Sequence, residues 1–240
     1  MVEFVKNLVE LPPLEQIEIN GVRHYTADGV GPYPSVTTVL GADKSKQAGI
    51  QKWRERVGEE EANKISFKAT QRGTAVHYIM EDYILSQKPK TKPMPIHVEM
   101  AQGLKAYADK YIDNVRMVEG QLWSEELRVA GTVDLIADFD GEVAVIDWKT
   151  SNYAKKKGYI ESYFMQESAY AVMFEERTGI PVKKLVTMVA YPNGTQMFVE
   201  KTEDWIGKFI EVREMYDTQL QSMLQSEVDD NGTSDSRGVL

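Results

Sequence analysis

Three polar side chains with a chemical use lie close together in the stretch Gly131 to Thr150, GTVDLIADFDGEVAVIDWKT: Asp134, Asp147 and Lys149. The runs Thr132 to Phe139 and Glu142 to Asp147 are rich in β-branched residues, and Asp140-Gly141 between them suits a tight hairpin turn. Alternate side chains of a strand share a face, so Asp147 and Lys149 point one way and Trp148 the other. Antiparallel pairing about the turn then brings Asp134 nearly opposite Asp147. Two carboxylates held this close repel unless a cation lies between them. Oxygen ligands suit Mg²⁺ or Mn²⁺, and such an ion polarises a phosphoryl oxygen and lowers the pKa of a bound water. Lys149 would orient that water or stabilise phosphorane-like charge. The plainer alternative is a surface hairpin with scattered charges. Against it, Val143-Ala144-Val145-Ile146 reads as buried and runs directly into the charged triplet.

Helices have to carry the other groups to this hairpin. From Phe67 to Leu85, apolar residues at 76, 79, 80 and 83 have the spacing of a helix packed on a sheet, with His77 beside the apolar stripe. A neutral imidazole there can ligate a metal. Gln166 and Tyr170 are four apart on a helix predicted from Tyr159 to Arg177, so they share a face about 6 Å apart along its axis. Lys184 to Tyr191 reads as a buried strand, 192–194 as a turn, Gln196 to Glu200 as a strand and Thr202 to about Gln225 as an amphipathic helix. The segment 88–95, with three prolines, reads as a connection, and Ile96 to Met117 as helical.

These pieces, taken together, resemble the PD-(D/E)XK nuclease superfamily in its RecB-like exonuclease branch. The resemblance rests on His77 in RGTAVH, Asp134 in Gly-Thr-Val-Asp, the Asp147-Trp148-Lys149 triplet, and Gln166 with Tyr170, all in family order across about 34–191. It implies an α/β, restriction-endonuclease-like mixed β-sheet core flanked by helices, with a helical N-terminal extension. It also implies His77, Asp134, Asp147 and the backbone carbonyl of Trp148 as ligands of Mg²⁺ or Mn²⁺. Asp134, Asp147, Lys149, Gln166 and Tyr170 would form the catalytic set, and Arg72 and Thr150 would contact nucleic acid. The segment Tyr33-Pro34-Ser35-Val36-Thr37-Thr38-Val39-Leu40 resembles one found in mitochondrial genome maintenance exonucleases and related phage exonucleases.

Ser35 and Thr37 suit either a helix cap or a phosphate contact. Trp53 and Arg54 sit in a basic amphipathic stretch over 44–56, where an aromatic among cations can stack a base, or form a solvated helix face. Lys155, Lys156 and Lys157 follow the catalytic strand and fit a phosphate contact or an exposed loop. The net charge of −9 argues against a nucleic-acid partner. That objection weakens because part of the acidity belongs to the proposed metal site and part to the tail.

The 240 residues carry no Gly/Ser linker, and the expectation is one nuclease domain with helical elaborations over 1–226, then an acidic, disordered tail over 227–240. With no cysteine, a disulfide framework and an iron-sulfur cluster are excluded. No GxxxxGK[ST] loop occurs, which excludes an ATP-driven helicase-nuclease within this chain. Without a membrane-length apolar run or a secretory signal, the expectation is a cytoplasmic protein of a phage or bacterial host. The expected function is metal-dependent hydrolysis of DNA, as an exonuclease on single strands with free ends, in phage-type replication, recombination or degradation, alongside proteins of those systems. A catalytically inactive nucleic-acid-binding module and a restriction-like endonuclease are the alternatives.

Overall fold

The computed structural model describes residues 3–89 and 92–234. Along the chain the strands are β1 (Glu15–Ile19), β2 (Val22–Ala27), β3 (Val30–Pro34), β4 (Ile112–Ser124), β5 (Val129–Phe139), β6 (Glu142–Thr150), β7 (Lys184–Tyr191) and β8 (Gly194–Lys201). The helices are α1 (Val36–Gly41), α2 (Lys44–Val57), α3 (Glu59–Ile84), α4 (Pro95–Tyr111), α5 (Glu161–Thr178) and α6 (Thr202–Ser234).

The hairpin forms where the sequence predicts. Asp140 and Gly141 both take positive φ, 51° and 78°, the two-residue turn whose twist matches that of the paired strands. Around it a mixed sheet assembles in the order β4-β5-β6-β7-β8, with β6 and β7 parallel and the other neighbours antiparallel. On one face α3 and α4 bury Val76, Met80 and Leu104 against Ile146, Trp148 and Met188. On the other, Phe164, Phe174 and Phe209 from α5 and α6 pack on Val133, Val145 and Leu185. Each such side chain contributes on the order of 1.5–3 kcal/mol by leaving water, so the central strands are held from both sides. This is the expected restriction-endonuclease-like core.

Three elements differ from expectation. The helix read as Ile96 to Met117 stops at Tyr111, because Ile112, Val115 and Met117 turn inward as strand residues of β4. The N-terminal extension is not wholly helical: β1, β2 and β3 form an antiparallel sheet before α1 and α2, with a turn at Asn20-Gly21. Finally, α6 runs on to Ser234. The expected tail therefore begins within this helix, and 235–240 lie outside the described residues.

Candidate active site

Asp134 and Asp147 meet at the open end of the hairpin. The register pairs Leu135 with Ile146, which sets the next residues, Asp134 and Asp147, across from each other. Asp134 Oδ2 accepts the backbone N–H of Trp148 at 2.8 Å, fixing one carboxylate against the opposite strand. Lys149 Nζ lies 2.6 Å from each Asp147 oxygen and donates to Oδ1. Asp147 Oδ2 is buried and ion-paired with that ammonium, without a hydrogen bond of its own. The Trp148 ring points to the opposite face, as strand period requires, and packs beneath α3 and α4.

Helix α3 delivers His77. Val76 and Met80 are buried against the sheet, and the imidazole beside them reaches the strand ends. Its Nδ1 is 3.5 Å from Asp134 Oδ1 and 3.7 Å from Glu119 Oε1. Glu119 is a residue that the sequence reading missed. It sits in β4 with φ of +46°, a left-handed conformation that a non-glycine residue rarely holds without cause. The signal was Gly120 inside a strand, since a strand glycine often marks backbone that bends or is closely approached. His77, Glu119 and Asp134 each present a ligand atom, all within 4.8 Å of one another.

Helix α5 covers the other side. Gln166 Oε1 accepts from Lys149 at 3.4 Å, and the Tyr163 ring centroid stands 5.1 Å from the same ammonium. Tyr170 is buried one turn beyond Gln166. Glu167, on the same face, is fully buried and hydrogen-bonded through Oε1 by the hydroxyl of Thr187.

The electrostatics show a site short of positive charge. Burial pushes Asp147 up to about 6, with Lys149 opposing and Asp134 adding to the rise. Burial also raises Asp134, against the pull of His77 and Lys149. For His77, burial lowers the pKa, but Asp134, Glu119 and Asp147 together overcome it and raise the imidazole to about 9. Burial likewise opposes the Lys149 charge, and Asp147 with Asp134 outweighs it, so the ammonium is held above its ordinary value. An imidazole and several carboxylates brought this close fit a divalent cation with a preference for oxygen ligands.

The residues expected to contact nucleic acid fall into separate groups. Arg72 donates from Nε to Thr150 Oγ1 at 3.2 Å and also bonds Asn152, tying α3 to the end of β6. Ser35 is buried and caps α1, accepting from the Thr38 N–H at 3.0 Å, while Arg23 donates to Thr37 Oγ1 at 2.6 Å. Arg54 is engaged by Glu59 and Asn63, and Trp53 is half-buried on α2. Lys157 pairs with Glu200 at 2.6 Å, and Lys155 Nζ stands 4.9 Å from the Tyr153 ring centroid. Tyr153 and Tyr159, in the segment that links β6 to α5, are 66% and 82% exposed. The sequence reading passed over both tyrosines.

The family model described as "PD-(D/E)XK nuclease superfamily" matches residues 50–234, most of the chain and every element that builds this site. The chain belongs to the PD-(D/E)XK nuclease superfamily. It is similar to mitochondrial genome maintenance exonuclease 1 of Homo sapiens, 28% identical over 178 residues that cover 68% of this chain and 50% of the relative. The Xenopus tropicalis protein of the same name is 27% identical over 190 residues, covering 72% and 52%. That of Mus musculus is 27% identical over 177 residues, covering 68% and 51%. The chain thus spans about half the length of the curated relatives it matches.

Proposed function

We propose that this superfamily nuclease is a metal-dependent DNA exonuclease that hydrolyses phosphodiester bonds of single strands from a free end. The observation that carries the reading is the convergence of His77, Glu119, Asp134, Asp147 and Lys149 at the end of one hairpin. His77, Glu119, Asp134, Asp147 and the Trp148 carbonyl would hold Mg²⁺ or Mn²⁺. When bound, such an ion supplies charge stabilisation at the phosphoryl oxygens and an acidified water.

The rest of the chemistry falls to the chain itself. In the metal-free site Asp147 and Asp134 hold Lys149 above its ordinary value, which suits it to act as a donor and positive charge beside the phosphorane. Gln166 fixes the direction of that ammonium. Water oxygen forms the new bond to phosphorus, the ester oxygen leaves with a proton, and the products are a nucleotide and a shortened strand. Single-strand preference is supported by the exposed rings of Tyr153 and Tyr159 beside Lys155, Lys156 and Lys157, since unpaired bases stack on such rings while lysines meet the phosphates. Ser35, Thr37, Trp53, Arg54, Arg72 and Thr150 are assigned secondary contacts with the strand. The setting assigned is DNA replication, recombination or degradation of the phage type, on the resemblance of the 33–40 segment. Among the described residues no helix is long and apolar enough to cross a membrane.

End-labelled single-stranded and duplex DNA, with linear and covalently closed single strands in parallel, tests the reading with Mg²⁺, Mn²⁺ and EDTA. Metal-dependent loss of mononucleotides from linear single strands is the expected result. Cutting of closed circles would move the protein to the restriction-like class, and binding without cleavage would make it a binding module.

A further inference from the structure

Glu167 is a buried acid that the proposed chemistry does not use. It is 0% exposed, it accepts from Thr187 through Oε1, and its Oε2 has no hydrogen-bond partner. A buried acceptor left without a donor is costly, so its position needs a reason. Thr187 stands directly across the parallel β6–β7 ladder from Asp147, which anchors Glu167 beneath the catalytic strand. On α5, Tyr163, Gln166, Glu167 and Tyr170 follow the i, i+3, i+4, i+7 spacing of one helix face. Two of them already touch Lys149.

Lys149 is the other half of the relationship. Its hydrogen bonds to Asp147 and Gln166 account for two of the three ammonium protons. Asp147 is also wanted as a ligand. Once its oxygens turn to a divalent cation, the same cation repels Lys149, and the ammonium needs a new acceptor inside a buried site.

We propose that Glu167 is the second anchor of Lys149, its free Oε2 taking the ammonium when Asp147 engages a cation. Glu167 is thus a positioning residue that acts through Lys149. The inference rests on the nuclease reading above and names a part of the same site.

The test compares Glu167→Gln and Glu167→Asp with the parent protein by Mn²⁺ calorimetry, melting temperature, and kcat and KM on linear single-stranded DNA at saturating Mn²⁺. Burial and Asp147 raise the Glu167 pKa in the metal-free site; Gln keeps the shape and the Thr187 bond but cannot ionise, whereas Asp keeps the carboxyl and leaves a gap. A purely structural Glu167 ranks both stability and activity as Gln above Asp. An anchoring Glu167 reverses the activity order alone. The expected result is a kcat at least tenfold lower for Glu167→Gln with KM within twofold, Mn²⁺ affinity several-fold weaker, and an intermediate kcat for Glu167→Asp. Parental kcat and Mn²⁺ affinity in Glu167→Gln, or activities that simply follow stability, overturn the proposal. If Glu167→Gln does not fold, Thr187→Val removes the tether with Glu167 intact: a lowered kcat supports the anchor, and parental kcat overturns it. Asp147→Asn, run alongside, separates the two readings. Should the parent protein itself leave linear single strands uncut with Mn²⁺, the nuclease reading fails; if the parent cuts, Asp147→Asn is inactive and Glu167→Gln is unimpaired, only the anchor does.

Discussion

A Cβ built on Gly131 would stand 2.9 Å from the Tyr170 hydroxyl oxygen and 3.0 Å from Cε1 of the same ring. Two motifs that lie far apart in the sequence are therefore one packing unit. Tyr170 presses the start of β5 so closely that only hydrogen fits at 131, and Asp134 lies on the same strand. The requirement at this position is steric, because Gly131 has no positive φ.

Gly131→Ala should push the Tyr170 ring aside and destabilise the protein by about 1–3 kcal/mol, the usual cost of overpacking. In a double-mutant cycle with Tyr170→Phe, which deletes the nearest atom, the losses should be strongly non-additive. Urea denaturation measures both. Additive effects would mean that the contact carries no strain.

Asp147→Asn and Lys149→Ala should each lower cleavage by about 10²–10³-fold or more, the usual loss on removing one preorganised charge or donor. Both should retain native circular dichroism. Near-parental turnover by either folded variant would remove that residue from the chemistry.

The left-handed backbone at Glu119 separates function from fold. Glycine relieves a penalty on the order of 1–2 kcal/mol there while deleting the carboxylate. Glu119→Gly should thus be at least as stable as Glu119→Ala, and both should show the same loss of Mn²⁺ affinity. Unchanged metal affinity in the pair would reduce Glu119 to a residue at a bend.

Metal capture should release protons. His77 is raised from 6.5 to about 9, so the metal-free imidazole is protonated at neutral pH, and a cation can claim it only by displacing that proton. Affinity for Mn²⁺ should rise with pH by up to about tenfold per unit and level off near pH 9. Without metal the sign reverses: the stabilisation from protonated His77 is complete below 6.5 and is lost as pH rises through about 9. Calorimetry in buffers of different ionisation enthalpy counts the protons released. In His77→Ala the pH dependence should flatten and excess Mn²⁺ should restore part of the activity; an unaltered profile would assign the shift elsewhere.

Tyr159→Ala and Tyr153→Ala should weaken single-strand binding by about 1–3 kcal/mol per stacked base lost. The chemical step at saturating DNA should be unaffected. Binding should fall steeply with salt, since capture relies on a few local lysines in an acidic protein. Trp53→Ala provides the comparison, and equal loss of duplex and single-strand binding would point to general charge rather than stacking.

The hairpin geometry was legible because its determinants are local. Asp140-Gly141 sets the turn, a period of two sets the faces, and the register of Asp134 and Asp147 follows by counting. Gln166 and Tyr170 were legible by helix period together with the family resemblance. Glu119 was not, since its aim depends on one left-handed residue in a strand whose first residues had been read as helix. The β1–β2 turn at Asn20-Gly21 carried the same signal as Asp140-Gly141, with φ of 52° and 74°, and could have been read the same way. Glu167 and Thr187 meet only through the pairing of β6 with β7, which no local pattern announces.

That parallel pairing has a further consequence, for the order in which activity is acquired. A hairpin can close as soon as its two strands exist, but parallel neighbours must wait for the chain to travel back along the sheet. Here the return path is α5 itself. A newly made chain that has formed β5 and β6 holds both aspartates and the lysine but not Gln166, Tyr170 or Glu167 over them. The complete machinery arrives only when the crossover docks and β7 pairs, one of the slow, non-local steps of assembly. Recovery of cleavage on refolding should therefore track the last phase rather than the first.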